Sequence, residues 1–165
     1  MTQRFEKAYN ALLSAFMDDT LAKGTCTACA VGNIVADAMG AKVVRVDETD
    51  FECEKNNNFW GDLFMTETTF SKQKIINEKS SRAKKIKARL KKLTGYSWKD
   101  LAKIEYAFET NTIIHRALYN TEDEKVIMED QFKGLMAVLD VMIELDEIKE
   151  GKQYKDAFKK KFELV

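Results

Sequence analysis

The residues in this sequence that are best suited to chemistry are two cysteines three positions apart, Cys26 and Cys29, in the stretch GTCTACAVGN. A Cys-x-x-Cys pair is a common first half of a tetrahedral zinc site. The chain has one more cysteine, Cys53, and one histidine, His115, so the four residues make up a complete Cys3His ligand set. In the usual zinc motifs the second half is also a close pair, whereas Cys53 and His115 are far apart in sequence. We expect no cofactor, and zinc is the one alternative that the sequence offers.

Two other interpretations of Cys26 and Cys29 have different physical grounds. If Cys26 lies in the first turn of a helix, the positive end of that helix favours its thiolate, as in a redox dithiol. Thioredoxin-like dithiols, however, follow a strand in a βαβ unit, and the sequence shows no such unit. Cysteine also behaves as a small hydrophobe, and the neighbouring glycines and alanines would let another helix approach closely. We favour this packing interpretation over the zinc and redox interpretations.

Other catalytic signatures are missing from the sequence. The seven glycines form neither of the phosphate-binding glycine motifs, and the chain has no Gly-x-Ser-x-Gly nucleophile elbow. Glu105 and Glu109 are one helical turn apart, but a di-iron bundle needs two Glu-x-x-His pairs and the chain has a single histidine. We therefore expect a protein that is not an enzyme.

Charge is strongly segregated along a chain whose net charge is zero. Ten basic residues and one acid, Glu78, lie between Lys72 and Lys92, whereas the range 122–150 has ten acids and three lysines. A basic helix over 72–92 could bind the phosphates of a nucleic acid, or it could pair with acidic helices within the fold or between subunits. The candidate nucleic-acid-binding residues are Lys84, Lys85, Lys87, Arg89, Lys91 and Lys92. Because nucleic-acid-binding domains usually have a positive net charge, we favour a protein partner or self-association.

Apolar residues recur with helical periodicity through most of the chain, and the sequence contains no proline to break a helix. We predict a mostly α fold, a single domain over 1–165 that forms an irregular bundle of five or six helices. The predicted helices cover about 3–17, 25–39, 68–93, a segment that starts after Ser97, and 122–149, followed by a short amphipathic tail. The range 41–70 is predicted as an irregular insertion, with a short hairpin starting at Val43–Val46.

Several residues predict where helices begin and end. Ser97 with Asp100, and Thr121 with Glu124, have the spacing of capping boxes. Gly40 and Gly151 stand where helices would end, since glycine adopts left-handed backbone without strain. We expect the two longest helices, 68–93 and 122–149, to pack against each other or against a partner.

The start of the sequence has charges of both signs and no apolar region, and the longest apolar stretch, 134–145, is interrupted by Asp140. We therefore expect a cytoplasmic protein without a membrane segment. The stretches AKGTCTACAVGN, WKDLAKIEYAFETNT and GLMAVLDVM, which start at 22, 98 and 134, resemble small helical proteins of phages and prophages of Bacteroidetes-type bacteria. This resemblance covers most of the chain. It implies a phage-encoded protein in the cytoplasm of a bacterial host, and it brings no known activity and no site residue.

Three hypotheses for the function follow from the sequence. The first is a non-enzymatic interaction or structural protein that acts through its helical surfaces. The second is a nucleic-acid-associated regulator that uses the basic helix 72–92. The third is a zinc-binding or thiol-redox protein that uses Cys26 and Cys29.

Overall fold

The computed structural model describes residues 3–64, 80–115 and 123–164 of the chain. In these ranges it has six helices of nine residues or more, one four-residue helical turn and a two-stranded antiparallel sheet, which confirms the predicted mostly α fold. The elements in chain order are α1 (Gln3–Met17), α2 (Ala30–Ala38), β1 (Val43–Arg45), β2 (Phe51–Cys53), α3 (Gly61–Phe64), α4 (Ser81–Thr94), α5 (Trp98–Asn111), α6 (Glu124–Leu145) and α7 (Gly151–Leu164).

The helices share one hydrophobic core. Helix α6 packs most extensively on α5 and also contacts α1 and α7, while α2 packs against α1, α4 and α5. Large fully buried side chains from five helices meet here: Phe5, Leu12, Leu90, Leu101, Ile104, Phe108, Leu135, Leu139 and Phe158. The described part of the basic helix, α4, packs mainly on α2 and α5. Within the described residues, α4 and α6 are therefore not each other's main packing partner.

The insertion after α2 contains the predicted hairpin. Strand β1 pairs with β2 in antiparallel register, with Val43 opposite Cys53 and Arg45 opposite Phe51. Val43 and Phe51 are buried against alanines of α2 and of the preceding loop, in a small cluster beside the main core. The hairpin therefore covers the outer side of α2. Residues 65–79 lie outside the described part of the chain, and with them lies most of the predicted first half of the helix 68–93.

Several predicted helix ends are confirmed. The Ser97 hydroxyl accepts a hydrogen bond from the Asp100 amide at 3.2 Å, and α5 starts at Trp98. Gly40 follows Met39, the C-cap of α2, and has a φ of 71°. At the start of α6 the capping residue is Asp123, not Thr121, because the Asp123 carboxylate accepts from the Lys125 amide at 2.8 Å. Thr121 itself lies outside the described residues.

The prediction of one helix from 122 to 149 ended by Gly151 is wrong. Helix α6 ends at Leu145, and the buried carboxylate of Asp146 turns inward to accept hydrogen bonds from Arg4 and from the Tyr96 hydroxyl. Gly151 is the first residue of α7 rather than the end of a helix. A β-carbon at Gly151 would lie 2.6 Å from a side-chain carbon of Ile143, so glycine allows α7 to fold back closely on α6.

Candidate functional sites

The segment 18–29 between α1 and α2, which we call the cysteine loop, contains Cys26 and Cys29. The Cys29 amide donates to the Thr25 carbonyl at 3.1 Å and closes a turn around Cys26. Cys29 then has extended backbone and caps α2, and its sulfur accepts from the Gly32 amide at 3.3 Å. Helix α2 therefore starts at Ala30 and not, as predicted, at 25, so the condition that Cys26 lies in the first helical turn is not met. Cys26 is half-buried in the turn that precedes the helix, and Cys29 is buried.

Gly32 lets the cysteine loop cross the first turn of α2. A β-carbon at this position would lie 2.1 Å from the carbonyl oxygen of Cys26 and 2.6 Å from that of Thr27. No side chain fits at these distances, so the backbone of the loop lies directly against the helix. The sequence suggested that small residues here serve the approach of another helix, whereas the structure places the loop itself over Gly32.

The buried amide of Asn33 in α2 fixes the two ends of the cysteine loop. Its nitrogen donates to the carbonyl oxygens of Thr20, Ala28 and Cys29 at 2.9, 3.1 and 3.2 Å. These carbonyls are remote from water, so the amide provides hydrogen bonds that solvent does not. Asn33 thus holds the entrance and the exit of the loop against α2.

Two side chains from more distant segments hold the middle of the loop. The Asn57 amide, buried after the hairpin, donates to the carbonyls of Thr27 at 2.8 Å and of Gly32 at 2.9 Å. The Gln131 amide of α6 donates to the carbonyl of Leu21. The conformation around both cysteines is therefore held by residues that are far away in sequence.

Glu105 reaches the same loop from α5. Its side chain is 2% exposed, and one carboxyl oxygen, Oε1, accepts from the Val31 amide at 3.0 Å in the first turn of α2. The other oxygen, Oε2, has no hydrogen-bond partner among the described residues. The Cys29 thiol lies beside this carboxyl group, close enough for each group to affect the other's titration. This contact was not predicted from the sequence, where Glu105 was considered only as a ligand in a carboxylate metal site.

Both groups of this pair hold their protons strongly. Burial, together with the nearby charge of Glu109, raises the pKa of Glu105 to about 8. Burial, together with the Glu105 carboxyl, raises the pKa of the Cys29 thiol well above its ordinary value. A carboxyl group with a pKa near neutrality can accept and return a proton under ordinary conditions.

The Cys3His set is not brought together. Cys53 ends β2 and contacts the small cluster under the hairpin, while His115 lies beyond α5 in a segment held by the Asp130 carboxylate through the amides of Ile113 and Ile114. All three cysteines are thiols outside any disulfide. Within 3–64, 80–115 and 123–164, no three His, Cys, Asp or Glu side chains are grouped as a metal site requires.

The described part of the basic helix, α4, has seven lysines and arginines and no acid. Its buried face consists of Ala83, Ile86, Leu90 and Thr94. Arg82, Lys85, Arg89 and Lys92 are exposed and recur at steps of three and four residues, so they form one line along the helix, which we call the basic stripe.

The other predicted basic residues of α4 have different positions. Lys84 and Lys91 are exposed on the opposite side of the helix from the basic stripe. The Lys91 ammonium group also donates to the Gly95 carbonyl at 2.8 Å and so stabilises the end of α4. Lys87 is half-buried, with its ammonium group 4.5 Å from the centre of the Trp98 ring. Of the six residues predicted from sequence, three therefore belong to the stripe: Lys85, Arg89 and Lys92.

A groove of about 460 Å³ separates the basic stripe from the segment 56–59. Its lining consists of Asn56, Asn58, Phe59, Arg82, Lys85, Ile86 and Arg89. The Arg89 guanidinium carbon lies 4.0 Å from the centre of the Phe59 ring. Asn58 also donates to the Thr27 hydroxyl at 3.1 Å, so the groove adjoins the cysteine loop. The sequence did not identify this wall of the groove, because an Asn-rich run beside an aromatic residue is also typical of an ordinary loop.

Comparisons of the chain with models of known protein families, with curated proteins and with solved structures found no match. In the described part of the chain, no helix combines the length and apolar character that crossing a membrane requires.

Proposed function

We propose that the protein is a binding protein whose partner is nucleic acid, held by the basic stripe and the adjoining groove. The observation that carries the proposal is the position of the stripe, which lies open to solvent along a groove whose other wall offers amide groups and an aromatic ring. The stripe extends over Arg82–Lys92, about 15 Å of helix, which is long enough to contact several phosphates.

The zero net charge of the chain is compatible with a local attraction of this surface for phosphates. Of the 27 acids, none lies in α4 and ten lie in 122–150. In that range α6 packs on α5, α1 and α7, away from the stripe. Among the described residues Lys85 and Lys92 have no carboxylate partner, so their charge is available to a ligand.

The groove favours nucleic acid over an acidic protein as the partner. Amide groups such as those of Asn56 and Asn58 can donate hydrogen bonds to the edges of bases and accept them. An acidic peptide, by contrast, would be bound by the basic side chains alone. Phe59 and Arg89 present a stacked ring and guanidinium, the kind of platform on which unpaired bases stack. We therefore propose a single-stranded or locally unpaired nucleic acid. The proposal includes the phage-associated, cytoplasmic setting that the sequence resemblance implies.

The test is a titration of fluorescently labelled single-stranded and double-stranded oligonucleotides, DNA and RNA, followed by anisotropy at several salt concentrations. The test variant replaces Arg82, Lys85, Arg89 and Lys92 by Glu. Lys87 and Lys91 are left intact, because they pack on Trp98 and cap the helix. The control variant carries the same change in charge on α7, at Lys152, Lys159, Lys160 and Lys161.

We expect the wild-type protein and the α7 variant to bind single strands, and the stripe variant to lose binding. The logarithm of the association constant should fall with the logarithm of salt concentration, with a slope of about 0.7 for each phosphate contacted. Absence of binding to all of the oligonucleotides would refute the proposal, and so would equal losses in the two variants. Polyglutamate that competes as strongly as a single strand would indicate an acidic protein partner instead.

A further inference from the structure

The turn in the cysteine loop brings Cys26 and Cys29 close together. Cys26 and Cys29 are three residues apart in a turn closed by the hydrogen bond from the Cys29 amide to Thr25. The Cys29 sulfur lies 3.5 Å from the Cys26 carbonyl oxygen. In a turn the α-carbons of residues i and i+3 are less than about 7 Å apart, and a disulfide joins residues whose α-carbons are about 4.4 to 6.8 Å apart. The half-buried Cys26 and the buried Cys29 therefore differ in access but are close to each other.

Glu105 is a second and independent feature of the same site. A buried carboxyl group with one oxygen unpartnered is unfavourable, and a cap for α2 does not require it. The Cys29 sulfur already caps the first turn of α2, and a neutral amide at position 105 could accept from Val31 equally well. Packing accounts for the small size of the thiols, but it does not account for an ionisable group placed beside Cys29.

We propose that Cys26 and Cys29 form a redox-active dithiol that reduces disulfide substrates, and that the Glu105 carboxylate accepts the proton of Cys29. This activity is separate from the binding of nucleic acid by the basic stripe. It requires no metal and no cofactor, because the substrate disulfide is the oxidant.

The reaction has two exchange steps. The Cys26 thiolate attacks one sulfur of a disulfide RS–SR, a Cys26–SR bond forms, and RS⁻ leaves and takes the proton that Cys26 released. Glu105 then accepts the proton of the Cys29 thiol, and the Cys29 thiolate attacks the Cys26 sulfur. The Cys26–Cys29 bond forms, and the second RS⁻ leaves and receives the proton from Glu105. The protein loses two electrons and two protons, and the substrate becomes two RSH.

The positions of the two thiols indicate which cysteine acts in each step. Cys26 is half-buried in the turn before the helix, whereas Cys29 is buried, so Cys26 is the more accessible thiol for a substrate. Cys29 is buried and has a raised pKa, so its thiolate forms slowly without a base. Glu105 is the group that can supply that base.

The test uses oxidised glutathione with protein in which Cys53 is replaced by Ser, and it follows the mass of the protein after acid quenching. We expect the Cys53→Ser protein to lose two hydrogens reversibly. Adding Cys29→Ser should trap one glutathione on Cys26, and adding Cys26→Ser should prevent any adduct. Serine is a favourable helix cap, so the Cys29→Ser variant should retain α2, and its circular dichroism melting curve checks this.

Glu105→Gln tests the proton acceptor. Because the pKa of Glu105 is about 8, the assay is run at about pH 9, where the carboxylate form predominates. Glutamine keeps an oxygen for the Val31 amide but cannot accept a proton at this pH. We expect the glutathione adduct on Cys26 to form at an unchanged rate and to be resolved by Cys29 about 10- to 100-fold more slowly. An unchanged rate of resolution would refute the role of Glu105.

Three results would overturn the dithiol proposal itself. In the first, both thiols stay reduced and unmodified in the folded protein, while urea-unfolded protein is oxidised. In the second, formation of the Cys26–Cys29 bond removes the helical signal. In the third, the purified protein contains zinc in a one-to-one ratio and loses its fold on chelation.

Discussion

From the burial of Glu105 we predict how the free energy of unfolding depends on pH. The pKa of this carboxyl is about 8 in the folded protein, against an ordinary value of 4.5. Below pH 4.5 both the folded and the unfolded states carry the proton. Between pH 4.5 and 8 the unfolded state has released it and the folded state has not, so the free energy of unfolding falls as pH rises. Above pH 8 this contribution no longer changes.

The size of the effect follows from the width of that interval. Each pH unit within it lowers the free energy of unfolding by up to about 1.4 kcal/mol. Between pH 5 and pH 8 we expect a total loss of about 2 to 4 kcal/mol that depends on Glu105. Glu105→Gln resembles the protonated carboxyl at every pH. The variant should match the wild type at pH 5 and exceed it by that amount at pH 8.

The assay is urea unfolding followed by circular dichroism at several pH values, with the difference between variant and wild type as the measured quantity. Titrating groups that do not interact with Glu105 contribute equally to both proteins and cancel in this difference. Glu129→Gln, at an exposed carboxylate of α6, is the matched control and should show no pH-dependent difference. Glu109→Gln should reduce the loss of stability between pH 5 and pH 8, because the charge of Glu109 helps to raise the pKa of Glu105. The other titratable group beside the Glu105 carboxyl is the Cys29 thiol. If Glu105→Gln keeps the pH dependence of the wild type, the carboxyl is not buried as described.

Two further predictions concern the cysteine loop and are checked by the same unfolding measurement. Gly32→Ala should destabilise the protein by about 3 kcal/mol or more, because its β-carbon would overlap the Cys26 carbonyl; Ala30→Gly, in the same helical turn, should cost only about 1 kcal/mol. A Gly32→Ala protein of wild-type stability would show that the loop does not lie against the helix. Asn33→Ala should cost about 2 to 3 kcal/mol, because it leaves loop carbonyls buried without the amide donor, and a loss below about 0.5 kcal/mol would contradict this.

The sequence by itself determined the helices and most of their local boundaries. Apolar spacing and the absence of proline predicted the helical segments, since the contacts that these patterns reflect lie within one or two helical turns. Ser97 before α5 and Gly40 after α2 act on the backbone of their own helix, so their effects could be read locally. The short β-branched run at 43–46 predicted the hairpin for the same reason.

The tertiary structure decided where a local signal competes with a distant contact. Gly151 is suited to end a helix, yet it begins α7 because the packing on Ile143 leaves no space for a side chain. Thr25 to Met39 has the composition of one helix, yet α2 starts at Ala30 because Asn57 and Gln131 hold the preceding backbone in a loop.

The candidate sites depend even more on distant contacts. The sequence identified the cysteines and the basic residues, because residue type and spacing are visible along the chain. The carboxyl beside Cys29 and the groove wall beside Arg89 come from α5 and from the segment after the hairpin. The burial that raises the pKa of Glu105 and the cavity that adjoins the basic stripe exist only when these segments pack together, so only the tertiary structure could define them.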